Sequence, residues 1–228
     1  DVLNKSFPTQ GHLNKKVLIT AGPTHEAIDP VRFIGNHSSG RMGFAIADAF
    51  AEAGAGVTVV AGPTALKPGD QQVKVRSVTS ASDMYEACLS LVVEADIVVF
   101  AAAVSDFTPE ISASQKIKRG EDDLSIRLKP TVDIAGTLGK SKREDQLFVG
   151  FALETNDGLK NAAGKLNRKN LDLIVLNTLE DKGAGFGTET NKVTLMDKSG
   201  NIDTFELKHK SEVARDIVTK VKKMLNNA

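Results

Sequence analysis

Short apolar runs alternate with longer stretches of helical period along most of this chain. The first run, residues 16–20 (KVLIT), starts abruptly after a polar segment and stops at Ala21-Gly22-Pro23-Thr24, which reads as a buried strand closed by a turn. A loop over residues 25–40 (HEAIDPVRFIGNHSSG) follows. From Ser39 the period becomes helical: Met42, Ala45, Ile46, Ala49, Phe50 and Ala53 keep i, i+3, i+4 spacing, and Gly54 is placed to end the helix. Residues 56–62 and 73–78 predict two more strands. Ser80 or Ser82 then caps a helix through residues 83–95. Residues 96–104 (DIVVFAAAV) are almost all apolar, as a parallel strand covered on both faces must be.

The second half keeps the alternation less cleanly. Residues 124–128 (LSIRL) alternate like a strand, and 131–139 open a capped helix. Strands are predicted at 147–155 and 171–178, with a helix at 157–170 between them. Residues 192–207 hold two alternating runs around Ser199-Gly200-Asn201, a β-hairpin, and 211–227 form a closing amphipathic helix with basic last turns. The fold class is therefore α/β, a Rossmann-like doubly wound, mostly parallel sheet with helices on both faces and a C-terminal hairpin and helix. In such a sheet ligands bind beyond the carboxyl ends of the strands. The loops after residues 20, 104 and 155 are thus expected to meet at one rim.

Composition narrows the picture. The chain has 228 residues, 41% of them hydrophobic, enough for one sizeable core. Twenty-nine basic and 29 acidic side chains cancel, which argues against a nucleic-acid partner but leaves room for a local anion site. The single cysteine, Cys88, can form no internal disulfide or Cys-rich zinc site and sits on the apolar face of a predicted helix, in keeping with a reducing, cytoplasmic setting. No apolar run approaches the ~20 residues of a membrane-spanning helix, and no signal peptide is visible. Residues 1–14, polar with Pro8 and Gly11, read as a linker or tail, and 15–228 as one domain. A first residue of Asp rather than Met reads as a trimmed or processed chain.

Chemistry is concentrated in three loops. Asn36-His37-Ser38-Ser39-Gly40-Arg41-Met42-Gly43 runs straight into a helix; glycines and hydroxyls there expose backbone N–H groups toward an anion, although a serine cap on an ordinary helix would look similar. The loop is not a Walker A motif. The G-x-G-x-x-G fingerprint is also absent, and the second strand ends in Ala61-Gly62-Pro63 with no acid for a ribose. The only tyrosine, Tyr85, is followed four residues later by Leu89, so no Tyr-x-x-x-Lys exists. The second loop, Ala101–Phe107, offers Asp106 for a metal or sugar hydroxyl and leads to Lys116-Ile117-Lys118-Arg119. The third joins Phe151 and Ala152 to Lys165 and Lys169, which lie i, i+4 on one helix face and need an anion or acid between them. His37 has no partner for a nucleophilic triad and reads as a binding group.

Together these stretches resemble one family, the bacterial phosphopantothenate–cysteine ligases, the synthetase part of a bifunctional coenzyme A biosynthesis protein. The matching segments are ITAGPTHEAIDPVRFIGNHSSGRMGFAIA (19–47), AAAVSDF (101–107), KIKR (116–119), GFALETN (150–156) and RKNLDLIVLN (168–177). The resemblance implies that 4′-phosphopantothenate is activated by CTP, with Mg²⁺, as an acyl-cytidylate that L-cysteine then captures. It implies catalytic roles for Asn36, which orients the acyl carbonyl, and for Lys116 on a flexible loop over the triphosphate. It places Gly22, Ser39, Gly40, Met42, Gly43, Ala102, Ala103, Asp106, Lys116, Phe151, Ala152, Lys165 and Lys169 around the nucleotide. Arg32, Asn36, His37 and Ser38 fall on the substrate, and Asp106 near the metal. It further implies a homodimer, with contacts through residues 29–36 and the C-terminal hairpin, and a native fusion to a flavin-dependent decarboxylase domain. An NAD(P)-dependent reductase, a nucleotide-sensing regulatory domain and an ATP-dependent version of the same ligase are the rival readings.

Overall fold

The computed structural model describes residues 13–120, 123–154, 157–178 and 188–226. The predicted tail at 1–14 lies outside these residues except for Leu13 and Asn14. Leu13 packs on the core and donates its N–H to the Ala53 carbonyl.

In chain order the elements are β1 (Lys16–Ala21), β2 (His25–Ala27), β3 (Phe33–Gly35), α1 (Arg41–Glu52), β4 (Gly56–Ala61), β5 (Lys74–Ser77), α2 (Ala81–Leu91) with a short 3₁₀ turn after it, and β6 (Ile97–Phe100). There follow β7 (Phe107–Pro109), β8 (Leu128–Pro130), α3 (Ile134–Gly139), β9 (Leu147–Glu154), α4 (Gly158–Arg168) and β10 (Leu173–Thr178). The chain closes with β11 (Thr190–Asn191), β12 (Val193–Asp197), β13 (Ile202–Thr204), β14 (Lys208–His209) and α5 (Lys210–Asn226).

The main sheet has the order β13-β12-β10-β9-β6-β1-β4-β5. Its strands from β5 through β10 pair in parallel, while β12 and β13 run antiparallel at one edge. This is the expected doubly wound sheet. Strand direction alternates side chains between its faces. On β1, Val17 and Ile19 join the core under α1 and α5, while Leu18 joins the one under α2 and α4; on β6, Ile97 and Val99 split from Val98 and Phe100 in the same way. Phe50 on one side and Phe148 on the other are fully buried, and Phe148 meets Phe100 edge to face at 5.4 Å between centroids.

Three sequence expectations are corrected. The strand expected at 124–128 begins only at Leu128; β8 pairs with β7 in a small hairpin outside the main sheet, and all three of its residues are exposed. Residues 25–40, read as loop, contain the β2–β3 hairpin. Residues 96–104 leave the sheet after Phe100, and Ala103 instead bridges to Pro23. In each case cross-chain pairing partners, which local periodicity does not encode, decided the outcome. The helix cap, by contrast, falls on Ser80: it accepts from the Asp83 N–H while the Asp83 carboxylate accepts from the Ser80 N–H.

Helix α1 lies very close to β1. A Cβ on Gly43 would stand 2.6 Å from the Ala21 Cβ, with backbone at 3.2 Å behind it. Gly43→Ala is therefore expected to push α1 off the sheet and destabilise the fold by about 1–3 kcal/mol, read as a lower urea midpoint at unchanged slope.

Candidate functional site

Strand β1 sits at the switch point of the sheet, with α1 and β4 leading away on one side and β6 on the other. The loops leaving β1 and β6 are joined there. The Ala103 N–H donates to the Gly22 carbonyl at 2.9 Å, and the Ser105 N–H to the Thr24 hydroxyl at 2.9 Å. Thr20 Oγ1 accepts from the Ala102 N–H, and the Asn36 amide nitrogen donates to the carbonyls of Ala103 and Val104 at 3.2 and 3.0 Å. Both hydrogens of Asn36 are thereby committed to this seam, and contact with an acyl carbonyl would displace one of them.

The loops enclose a two-lobed cleft whose lobes share Ala102, Ala103, Phe151 and Leu153 as a neck. The inner lobe, about 160 Å³, is framed by Ser38 through Gly43 at the start of α1, by Ala101–Ala103, and by Asn177, Asn191 and Lys210. Gly40 precedes α1 at φ 80°, where a non-glycine residue would be strained, and no side chain caps the helix. The Arg41 N–H donates to the Ser39 hydroxyl at 3.4 Å, and the amides of Met42 and Gly43 behind it are the ones an anion could use. The outer lobe, about 620 Å³, carries Asn36, Asp106, Thr131–Ala135, Lys165, Arg168 and Lys169.

The two lysines at i, i+4 each meet their own acid. Lys165 Nζ lies 2.6 Å from Glu154 Oε1, and Lys169 Nζ lies 2.8 Å from Asp133 Oδ1, which also caps α3 through the Gly136 N–H. Burial opposes ionisation of both carboxyls, but the hydrogen bonds and charges of the lysines outweigh it and hold Glu154 and Asp133 below their ordinary values. The lysines are ordered at the rim and can exchange a carboxylate for a ligand's anion.

Of the residues expected in the site, Asn36, Ser38, Ser39, Gly40, Met42, Gly43, Ala102, Ala103, Asp106, Phe151, Ala152, Lys165 and Lys169 line the cleft. Gly22 sits just behind the wall, its backbone 3.1 Å from where a Gly40 Cβ would be. His37 is exposed and off both lobes. Arg32 and Lys116 are off them too, and they are joined elsewhere. The Asp29 carboxylate, wholly buried, accepts from the N–H groups of Val31, Arg32 and Ile117 and from Nε and Nη2 of Arg32, and Nη2 also donates to the Ile117 carbonyl at 2.9 Å. Arg32 is thus a clasp on the segment that carries Lys116. Sequence reasoning missed Asn177, at the carboxyl end of β10 where the strand-end rule would have found it, and Asp133, visible only as a helix cap. It also left Arg41 and Lys210 without a role; nothing in their local pattern sets them apart.

Two further chemistries can be weighed. Cys88 is buried, and that burial pushes its thiol up to about 12, so it is no nucleophile at neutral pH. The end of β4, where a dinucleotide site would need an acid, is closed: a Cβ on Gly62 would fall 1.7 Å from the Pro23 carbonyl oxygen. Among the described residues no group of three or more His, Cys, Asp or Glu could hold a metal ion; the outer wall carries the carboxylates of Asp106 and of Asp133, the latter paired with Lys169.

Comparison with known proteins agrees with this geometry. Residues 12–225 match the family described as DNA/pantothenate metabolism flavoprotein C-terminal domain. The chain is similar to the crystal structure of the C-terminal domain of coenzyme A biosynthesis bifunctional protein CoaBC, at 41% identity and a TM-score of 0.80, covering 94% of this chain and 97% of that one. It is 45% identical over 216 residues to the CoaBC protein of Bacillus subtilis (strain 168), covering 95% of this chain and 52% of the relative. It is also 57% identical over 219 residues to a protein named cysteine/cysteine sulfinic acid decarboxylase from an unknown prokaryotic organism, covering 96% of this chain and 61% of the relative. The chain therefore spans about half to three fifths of these curated relatives.

The clasp has a testable pH signature. The Arg32 guanidinium foremost, with three backbone N–H groups, holds the Asp29 carboxyl well below its ordinary value of 3.8, against the opposing effect of burial. A depressed folded value stabilises the protein above the unfolded value and is lost as pH falls through the folded one. Asp29→Asn should be less stable than the wild type at pH 7, with the gap closing as pH drops below 3.8, and the Ile117 amide should exchange hydrogen faster. An equal stability gap at pH 7 and pH 2 would remove the carboxylate from the clasp.

Proposed function

Because this chain belongs to the DNA/pantothenate metabolism flavoprotein C-terminal domain family, we propose that it is the ligase that joins L-cysteine to 4′-phosphopantothenate at the expense of a nucleoside triphosphate, CTP, in coenzyme A biosynthesis. The observation that carries this reading is the cleft itself: cations at both ends and an uncharged neck of Ala102, Ala103 and Phe151 between them. Such a site holds two anionic substrates together and leaves the chemistry to them.

In the first step a carboxylate oxygen of the acid attacks the α-phosphorus, the bond to the bridging oxygen breaks, and pyrophosphate leaves. In the second the cysteine amine attacks the acyl carbon, loses a proton, and displaces the nucleoside monophosphate. No strong base is required in the first step, since the carboxylate is already ionised. The flat faces of Ala102, Ala103 and Phe151 suit a base or sugar at the neck, and Lys165 and Lys169 suit phosphate oxygens once they release Glu154 and Asp133. Lys116 reaches the phosphates only if its segment moves in from the Asp29–Arg32 clasp. A Mg²⁺ ion carried on the triphosphate fits a wall whose carboxylates are Asp106 and the Lys169-paired Asp133, because Mg²⁺ keeps phosphate oxygens and waters as most of its ligands; it would neutralise phosphate charge.

A homodimer fits the exposed apolar side chains of the two small hairpins, with Val31 at 60%, Phe33 at 52%, Phe107 at 51% and Leu128 at 43% exposure. Val31 and Phe33 fall within residues 29–36, and Ile202, 49% exposed, offers a further apolar side chain on the C-terminal hairpin. The length of the relatives supports a native fusion to a flavin-dependent decarboxylase domain.

The decisive assay is pyrophosphate release with 4′-phosphopantothenate, Mg²⁺ and CTP or ATP, with and without cysteine. Release with CTP and a cysteine-dependent amide product is expected. Release with ATP alone would correct the base, and no release from folded protein would overturn the ligase reading. Carbon dioxide from cysteine or its sulfinate without nucleotide would favour the decarboxylase name instead. Lys116→Gln, at an exposed position, should leave unfolding unchanged and slow acyl-nucleotide formation by about 10²–10³-fold; unchanged turnover would remove Lys116 from the reaction.

A further inference from the structure

Helix α4 ends in a turn that needs a positive φ. The Leu171 N–H donates to the Leu166 carbonyl at 2.9 Å and the Asn170 N–H to the Asn167 carbonyl at 3.2 Å, and both leucines are buried in one core. The residue at the bend is Asn170, at φ 52°. Glycine takes that conformation without strain, and asparagine tolerates it. What the asparagine side chain adds is a bridge: its Nδ2 donates to the Gly139 carbonyl, at the end of α3, at 2.9 Å. The two backbones are close there, since a Cβ on Gly139 would stand 2.1 Å from the Lys169 carbonyl oxygen. The preceding residue, Lys169, reaches the other end of α3. Its Nζ lies 2.8 Å from the Asp133 carboxylate, which also accepts the Gly136 N–H in the first turn. Two consecutive residues thus grip both ends of a helix of six residues. Lys142 backs them, donating to the Asn170 carbonyl at 3.2 Å and to the buried Asp172 carboxylate at 2.6 Å. Asp133, Ile134 and Ala135 at the start of α3 line the outer lobe, as does Lys169; Asn170 and Gly139 lie behind its wall.

We propose that Asn170 is a positioning residue for the outer lobe: through Gly139 it fixes α3 against the end of α4, and so sets where Lys169 and Asp133 meet. It touches no ligand and acts through Lys169. Glycine would satisfy the turn by itself, so the distinct contribution of the amide is the bridge. Under the ligase reading, on which the ligand's identity alone rests, the anion that draws Lys169 away from Asp133 is a phosphate of the nucleotide. The bridge then keeps the wall of α3 in place while the lysine exchanges partners. A lysine is a point charge on a flexible stem, so its aim depends on such supports more than that of a planar guanidinium does.

Asn170→Gly keeps the turn and deletes only the bridge, so its urea midpoint should stay near that of the wild type. The first readout needs no ligand. Hydrogen exchange of the Lys169 ammonium with water, followed in ¹⁵N spectra, should quicken about threefold or more in Asn170→Gly. The Lys165 ammonium, paired with Glu154 on the same helix, is the internal control and should not change. An unchanged rate at Lys169, or an equal rise at Lys165, would overturn the positioning role. The second readout is titration with CTP and with ATP. The nucleotide that binds the wild type should bind Asn170→Gly about tenfold more weakly, the scale of one neutral hydrogen bond. Lys169→Met and the double variant Lys169→Met/Asn170→Gly should bind it alike. An equal loss in both backgrounds, or none in the wild-type background, would also overturn the proposal. If neither nucleotide binds folded wild-type protein while the Lys169 ammonium still responds to Asn170→Gly, the ligase reading falls and the positioning role stands.

Discussion

Two backbone segments leave the sheet side by side, residues 22–24 after β1 and 101–105 after β6, and the cleft exists because they are held in register. Gly22 and Ala103 share a backbone hydrogen bond, Thr20 and Thr24 turn buried hydroxyls onto the amides of Ala102 and Ser105, and Asn36 ties the far end of its loop to the carbonyls of Ala103 and Val104. Thr20 and Thr24 are 2% and 0% exposed, so each lost bond would strand a polar group inside the protein. The seam fixes the neck between the lobes. It also fixes the distance from the start of α1 to the outer-lobe lysines, across which a triphosphate or an acyl-nucleotide would have to stretch.

Close backbone approach is what makes the seam possible. Gly43 lets α1 reach β1, Gly62 lets the end of β4 pass the Pro23 carbonyl, and Gly40 turns the chain into the helix at a positive φ. The Gly62 contact also closes the corner where a dinucleotide's ribose would sit. Small residues thus shape which ligands a shared fold can admit.

The electrostatics follow a second logic. At the outer rim the cations are paired in advance with Glu154 and Asp133, which keeps ordered lysines at a solvated edge. At the start of α1 Arg41 pairs with the exposed Glu189, and the Lys210 ammonium donates to the Thr188 carbonyl. The clasp of Asp29 on Arg32 and Ile117 is a third case, where a buried carboxylate organises two loops away from the cleft.

Periodicity along the chain determined the alternating strands and helices, the Ser80 cap, and the loops that gather at the carboxyl ends of the strands, because each rests on residues near in sequence. The family motifs added most of the cleft lining, from Asn36 to Lys169. Tertiary structure alone decided the rest. The β2–β3 and β7–β8 hairpins needed partners that no local pattern names. Lys165 and Lys169 found separate acids from β9 and the start of α3. Arg32 turned toward Asp29 and Ile117 in place of the cleft, and Lys210, an ordinary residue at the start of an amphipathic helix, came to lie beside Arg41, 169 positions earlier in the chain. The sequence carries the short-range preferences of each residue, but the charge and shape a ligand meets are sums over distant residues, and only folding brings those together.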